Sequence, residues 1–241
     1  MAPECLTALA KFDTATICNV IELFEVRPDS VGFMDGRIRA AFPDLPPIVG
    51  YASTASFRSA APPPSGSIYS DLETQLQQIA SLPGPAIVVF QDLDDPPVGA
   101  TFGEIMCSVY QAVGAVGLIT SGGGRDLQPI RKLNFPVFIG CTISSHACSH
   151  IVDLDSTIRV GGLVVRPGDL LHADGDGVTS IPLEIASEIA DVAPEFVAAE
   201  RILLDYAQAP GEKSVAELMQ RRRAAVDAMA TLRRRVSRRP T

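Results

Sequence analysis

Gly117-Leu118-Ile119-Thr120-Ser121-Gly122-Gly123-Gly124-Arg125-Asp126 is the stretch on which the reading turns. Its first four residues are an apolar run that reads as a buried strand. The strand runs into a loop of three glycines, whose missing side chains would let backbone amides approach a ligand closely. An arginine and an aspartate close the loop. Arg suits bidentate binding of a carboxylate, and Asp suits a hard divalent cation. A tight turn with a surface ion pair would give the same letters. No Gly-Lys-Ser/Thr follows, so the loop is not a phosphate loop of the Walker kind, and the glycine spacing is wrong for a dinucleotide fingerprint.

Upstream, Thr101-Phe102-Gly103-Glu104 opens a helix that runs to about Val113. Glu104 therefore sits at a helix N-terminus, where unpaired amides favour anions; a carboxylate complementing the helix dipole would sit there too. Twenty residues separate Glu104 from Arg125. One helix plus one strand is a natural length for returning both ends to the same edge of a sheet.

Working outward, residues 4–26 read as a helix ended by Pro28, and 37–48 as a Pro-rich loop. Strands are expected over 50–58, 86–91 and 136–140. A Pro/Ser/Gly loop covers 61–66, and a short helix 71–81. Strands near 157–160 and 163–165 flank Gly161-Gly162, a hairpin signal. Two more strands surround Asp174-Gly175-Asp176-Gly177, and periodic charged helices cover 184–206 and 213–235. The order is not the strict alternation of a doubly wound sheet. The expected fold is α/β with mixed sheets, as a main domain over 1–206 and a C-terminal helical extension over 207–241.

The 241 residues carry a net charge of −8, with no Trp and a Phe plus Tyr total of 14. An acidic chain poor in aromatics is a poor nucleic-acid binder. The charge is uneven: residues 220–241 hold eight Arg and one Asp, a local +7 against −15 for the rest. That end reads as a solvated, frayed helix, or as a tether to an acidic partner. Five cysteines (Cys5, Cys18, Cys107, Cys141 and Cys148) form no CxxC pair and read as free thiols. No signal-type opening and no membrane-length apolar run is present, so a soluble cytoplasmic protein is expected. His146 and His150, four apart, would share a face if helical but lack the His-Glu-x-x-His pattern. His172, Asp174 and Asp176 read as a structural turn rather than a Ca²⁺ loop.

The spacing Glu104-x20-Arg125-Asp126, preceded by Phe102-Gly103, resembles the RraA-like family. Further matches come in the same order: Thr14-Ala15-Thr16, then Gly50-Tyr51-Ala52-Ser53-Thr54, then Pro136-Val137-Phe138. The last runs from Val164-Val165-Arg166-Pro167-Gly168-Asp169 through Ala173-Asp174-Gly175-Asp176-Gly177-Val178 to Ile181-Pro182. Together they span about 12–206. The family holds 4-hydroxy-4-methyl-2-oxoglutarate aldolases, which also decarboxylate oxaloacetate, and regulators of ribonuclease E. The resemblance implies a β/β/α swivelling-type fold and a homotrimer or hexamer. It implies Mg²⁺ (or Mn²⁺) with Asp126 as direct ligand and Glu104 holding a water of the metal. Arg125 would bind the keto-acid oxygen, and the amides of Ile105 and Met106 the carboxylate. Glu200 of a neighbouring subunit, or else Glu195, would complete the site. Two positions depart from the family's pattern: Ser121 stands where an Asp is common, and Pro129 where a Glu or Asp is.

The expected function is therefore a metal-dependent lyase on short α-keto acids, working through a pyruvate enolate. The lysines are Lys11, Lys132 and Lys213, none of them inside a motif segment, which argues against a Schiff-base aldolase. The alternative is a non-catalytic trimer that masks another enzyme, as the ribonuclease regulators do.

Overall fold

The computed structural model describes residues 1–65 and 71–238. Gly66, which closes the Pro/Ser/Gly loop read from the sequence, lies outside the described residues, as do 239–241 of the Arg-rich end. In chain order the elements begin with α1 (Pro3–Leu9), α2 (Thr14–Phe24), β1 (Arg39–Ala40), β2 (Ile48–Arg58) and α3 (Leu72–Ser81). Next come β3 (Ala86–Asp92), β4 (Ala100–Phe102), α4 (Glu104–Ala112), β5 (Ala115–Thr120), β6 (Gly123–Gly124) and α5 (Leu127–Lys132). Then follow β7 (Val137–Ile139), β8 (Cys141–Thr142), β9 (His150–Leu154), β10 (Ile158–Val160) and β11 (Leu163–Val165). The last are β12 (Leu170–Asp174), β13 (Gly177–Ile181), α6 (Ala186–Gln208) and α7 (Val215–Val236).

Contacts divide the chain into two compact units: Met1–Thr14 with Gly32–Leu183, and Ala15–Val31 with Glu184–Thr241. The 206/207 boundary read from the sequence lies in the last turn of α6, which packs along α7.

The first unit is built on a mixed sheet in the order β1-β7-β5-β3-β2-β12-β13, with β9 also paired to β2. Strands β2, β3, β5 and β7 are parallel neighbours. Side chains alternate across this sheet. Ile87, Val89, Ile119 and Phe138 face one way, and there they pack with Ile158, Val160, Leu163 and Val165 of the β10–β11 hairpin. Val88, Phe90, Leu118 and Val137 face the other way, against Ile79 of α3, Cys107 and Tyr110 of α4, and Ile130 of α5. Hairpin, sheet and helices thus form three layers, the expected β/β/α arrangement. Buried on both faces, β2 and β3 read as near-continuous small and apolar runs.

Several expectations are corrected. The helix read over 4–26 is two helices, because Thr14 starts a new one. The Thr14 N–H is taken by Asp174 Oδ2 at 2.8 Å, and its hydroxyl pairs with His172 Nδ1 at 2.9 Å. It ends at Phe24, short of Pro28, where Glu25 turns left-handed at φ 53. His146 lies in a loop and His150 begins β9, so the two do not share a helix face. Asp174 spends its second oxygen on the Asp176 N–H at 2.9 Å, as a structural turn would.

In the second unit, α7 is not a frayed end. Ser214 caps it by accepting the Glu217 N–H at 3.4 Å, and the helix continues to Val236 with Ala225, Leu232 and Val236 buried. Arg235 makes a forked pair with Glu195, at 2.6 and 3.0 Å. Arg238 pairs with Glu188, and Arg221 with Glu217. Carboxylates on α6 and α7 therefore give these three arginines partners, which the local charge sum did not reveal.

Candidate active site

The three-stranded parallel sheet β4-β6-β8 brings the expected residues together. Its register sets Phe102 beside Gly124, and Gly124 beside Thr142. All three strands therefore end at one edge, and Glu104, Arg125 and Asp126 follow directly on two of those ends. The helix-plus-strand spacing has this geometric cause.

Asp126 is the pivot. It sits at the N-cap of α5 in the left-handed region, φ 55 and ψ 34, a conformation that Asp tolerates better than most residues. An N-cap Asp ordinarily accepts from its own helix, but here it makes no such bond. Its Oδ2 instead accepts the N–H of Glu104, at 3.1 Å. That satisfies the first free donor of α4. Gly103, the N-cap of α4, supplies no side-chain cap. The amides of Ile105 and Met106 are therefore the first-turn donors that no intrahelical acceptor or cap takes. The Ile105 side chain is 77% exposed beside them.

Arg125 lies 3.9 Å from Asp126 through Nε, and its side chain is one-third exposed. Its Nε is shielded from water and has no hydrogen-bond partner among the described residues. A buried donor left unmade is costly, so Arg125 is poised for an acceptor that the described residues do not supply. Gly103 is required here: a Cβ at that position would lie 2.5 Å from Asp126 Oδ2 and 3.0 Å from Arg125 Nε.

The loop glycines correct a further expectation. The space over Gly122, Gly123 and Gly124 is filled by protein rather than left for a ligand. A Cβ on them would meet Asp92 at 2.5 Å, Ile143 at 2.9 Å and Phe102 at 2.6 Å respectively. Their smallness serves the packing of the three-stranded sheet.

Ser121 and Pro129 also acquire roles. The Ser121 hydroxyl accepts the Asp92 N–H at 2.9 Å. Pro129 falls in the first turn of α5, where a missing N–H costs nothing. Asp92 itself was not foreseen. It ends β3 beside Gly122, and its Oδ2 is buried without a partner among the described residues. Burial, reinforced by Asp94, pushes its carboxyl up to about 6 despite the Asp94 N–H on Oδ1.

For a metal, Glu104 and Asp126 offer an oxygen-only, sparsely populated donor set of the type that suits Mg²⁺ or Mn²⁺ retaining several waters. Among the described residues no group of three or more His, Cys, Asp or Glu is placed to hold an ion. Two carboxylates therefore need solvent, substrate or another chain to complete a shell. Glu200 and Glu195 lie on α6 in the second unit, and Glu195 has both oxygens on Arg235.

Residues 14–179, which hold all of this edge, match the RraA-like family, described as Aldolase/RraA. The chain belongs to the RraA-like family. One relative, from Halalkalibacterium halodurans, is named as a candidate 4-hydroxy-4-methyl-2-oxoglutarate aldolase. It is 36% identical over 101 residues, covering 42% of this chain and 47% of that protein. An uncharacterized protein of Methanocaldococcus jannaschii is 26% identical over 135 residues, 55% of this chain and 64% of that one. The chain thus spans less than two thirds of the length of these curated relatives. Among solved structures, an uncharacterized Pseudomonas syringae protein matches with a TM-score of 0.70 at 20% identity, over 92% of this chain and 94% of that one. Streptomyces coelicolor RraAS2, described as an unusual member of the RNase ES inhibitor RraA family, matches with a TM-score of 0.66 at 23% identity, over 83% and 96%. These two carry the RraA-like fold. No helix of the described residues is long and apolar enough to cross a membrane.

Proposed function

We propose that this RraA-like chain is a divalent-metal-dependent lyase on short α-keto acids. It cleaves substrates of the 4-hydroxy-4-methyl-2-oxoglutarate type by retro-aldol reaction, or decarboxylates oxaloacetate. The observation that carries the reading is the Asp126–Glu104 contact at the N-terminus of α4, beside an Arg125 whose Nε has no acceptor among the described residues. The relative named as an aldolase adds support.

Asp126 and Glu104 would hold Mg²⁺ or Mn²⁺, which when bound supplies Lewis-acid stabilisation of charge on the keto oxygen. The amides of Ile105 and Met106 take the substrate carboxylate, and Arg125 donates to the keto oxygen, where charge develops. In retro-aldol cleavage the C3–C4 bond breaks, and its electron pair remains on the pyruvate fragment as an enolate. The C4 hydroxyl gives its proton to water held by Glu104, and C4 leaves as a carbonyl. In decarboxylation the bond from C3 to the carboxylate breaks and CO₂ leaves. Either enolate takes one proton at C3 to become pyruvate. Glu200 of a neighbouring subunit completes the site in a homotrimer or hexamer.

The test is pyruvate release from oxaloacetate and from 4-hydroxy-4-methyl-2-oxoglutarate, with Mg²⁺ and with excess chelator. Turnover that chelation stops and Mg²⁺ restores is expected. Undiminished turnover in chelator would remove the metal from the account.

A further inference from the structure

A small cleft adjoins the Arg125 edge. It holds about 70 Å³ of space open to water, and one water needs roughly 10–15 Å³. The cleft therefore takes a few waters, or a single group the size of a carboxylate, while the rest of a substrate stays outside it. Arg125 and Gly103 belong both to its lining and to the candidate active site. Buried rings, Phe57 and Phe90 among them, form one part of the lining, and Gln75, Thr101, His146, Ser149 and His150 another. Among the described residues no Asp or Glu lines it, and its one permanent charge is the Arg125 guanidinium.

Two buried donors at this cleft have no partner among the described residues: Arg125 Nε and Gln75 Nε2. Gln75 is 1% exposed, and its Oε1 accepts the Tyr110 hydroxyl at 2.9 Å. Turning the amide over would let Nε2 donate to the Tyr110 oxygen and would free the Tyr110 O–H, so a donor is left over in either assignment. The two histidines are oriented by the backbone. His146 Nδ1 lies 2.7 Å from the Ala147 carbonyl, and His150 Nδ1 2.8 Å from that of Cys148. A carbonyl only accepts, so each Nδ1 carries a proton and each Nε2 is left for a ligand, to which it donates once the ring is charged. Their loop is pinned: the Ser145 carbonyl accepts the Ala100 N–H at 2.8 Å, and the Ser59 carbonyl the Cys148 N–H at 3.1 Å.

We infer that this cleft holds the second carboxylate of the substrate, the one borne on C4, and that His146, His150 and Gln75 select keto acids that carry it. The inference rests on the proposed lyase reading for the keto-acid end at Arg125. The unpartnered donors, and a lining without acidic residues, stand independently of that reading. A carboxylate leaving water must regain its hydrogen bonds. Donors from Gln75 or Tyr110, from the Ser149 hydroxyl and from the two imidazoles supply them, and bonds of this kind to an ionised group are the strong ones. An apolar group in the same place would leave the buried amide unmet, which is costly. Run in the forward direction, the enzyme joins pyruvate to an aldehyde or ketone that bears a carboxylate. C3 of pyruvate loses a proton and bonds to the carbonyl carbon, and the carbonyl oxygen gains a proton to become the C4 hydroxyl.

The test has a binding arm and a turnover arm. In the first, acetate and its neutral isostere acetamide are titrated against the full chain at pH 6, and the imidazole Cε1–H signals of His146 and His150 are followed by NMR. Acetate is expected to move both signals to saturation with one Kd, at least tenfold tighter than acetamide, the worth of one hydrogen bond to a charged group. Gln75→Leu is expected to weaken acetate about tenfold. Equal binding of the two probes, or acetate binding unchanged in Gln75→Leu, overturns the inference. Should Gln75→Leu not fold, the wild-type comparison decides alone. In the second arm, pyruvate is offered with glyoxylate or with acetaldehyde, which lacks the carboxylate. The ratio of the two kcat/KM values is expected to fall at least tenfold in His146→Leu/His150→Leu, and an unchanged ratio overturns the inference. Should the double variant not fold, the same ratio is read in His146→Leu, whose side chain is exposed. If acetate binds as expected but no keto acid is turned over, the lyase reading fails while the cleft stands as a carboxylate site.

Discussion

The carboxylate of Asp126 accepts the backbone N–H of Glu104 at 3.1 Å, across the gap between two strand ends. This bond locks the N-terminus of α4 to that of α5. It also holds the Asp126 carboxylate near Arg125, 3.9 Å from its Nε, before any ligand arrives. Preorganisation of this type is what lets fixed donors act on developing charge without reorganising during the reaction.

Gly103 is the hinge of that alignment. Gly103→Ala would put a methyl 2.5 Å from Asp126 Oδ2, which must then move. Misplacement on the ångström scale costs about 100-fold in rate, whereas overpacking costs roughly 1–3 kcal/mol. Pyruvate-release kinetics alongside a melting curve should show kcat/KM reduced by about two orders of magnitude in a protein that still folds. Wild-type kinetics in this variant would show that the contact does not matter.

Asp92 should give stability a pH signature. Its carboxyl is pushed up to about 6 in the fold, chiefly by burial. Between the ordinary carboxylate value near 4 and about 6, the folded chain holds a proton that the unfolded chain has released. The stabilisation is therefore fully present below about 4 and is lost as pH rises through about 6. Asp92→Asn does not titrate, so its stability relative to wild type should rise by roughly 1–3 kcal/mol between pH 4 and pH 8. Urea midpoints at both pH values measure this, and parallel curves would assign the pH dependence to other groups.

How much could be read in advance depended on how local the determinant was. Strands such as 86–91, and the Gly161-Gly162 hairpin, declare themselves in adjacent letters. So does the run into Arg125-Asp126. Strand β9 does not, because Val152 and Asp153 are exposed and its pairing partners lie a hundred residues upstream on β2. The three glycines suggested ligand access, but their neighbours Asp92, Ile143 and Phe102 are distant in the chain. Asp92 carries no motif at all; only its buried Oδ2, without a partner among the described residues, marks it. The Arg-rich end looked solvated because Glu195, 40 residues upstream of Arg235, could not be paired with it from charge alone.

The proposal that neighbouring subunits share the site is open to a complementation test. On that proposal, in a ring built from one repeated heterologous contact, Arg125 of one chain and Glu200 of the next would meet at each site. Arg125→Ala and Glu200→Ala should each be nearly inactive. Refolded together at random, they should restore roughly one intact site in four by this ring geometry. Failure to complement, with wild type refolding normally, would confine the site to a single chain.

The most direct measurement is the rate of pyruvate release by Asp126→Asn against wild type at saturating Mg²⁺. The substitution keeps the size and one acceptor of the side chain but removes its charge. Two orders of magnitude or more should be lost, by analogy with removal of a single charge-stabilising group, while circular dichroism and the melting point stay near wild type. Unchanged turnover in a folded Asp126→Asn protein would contradict the assignment of this edge as the catalytic centre.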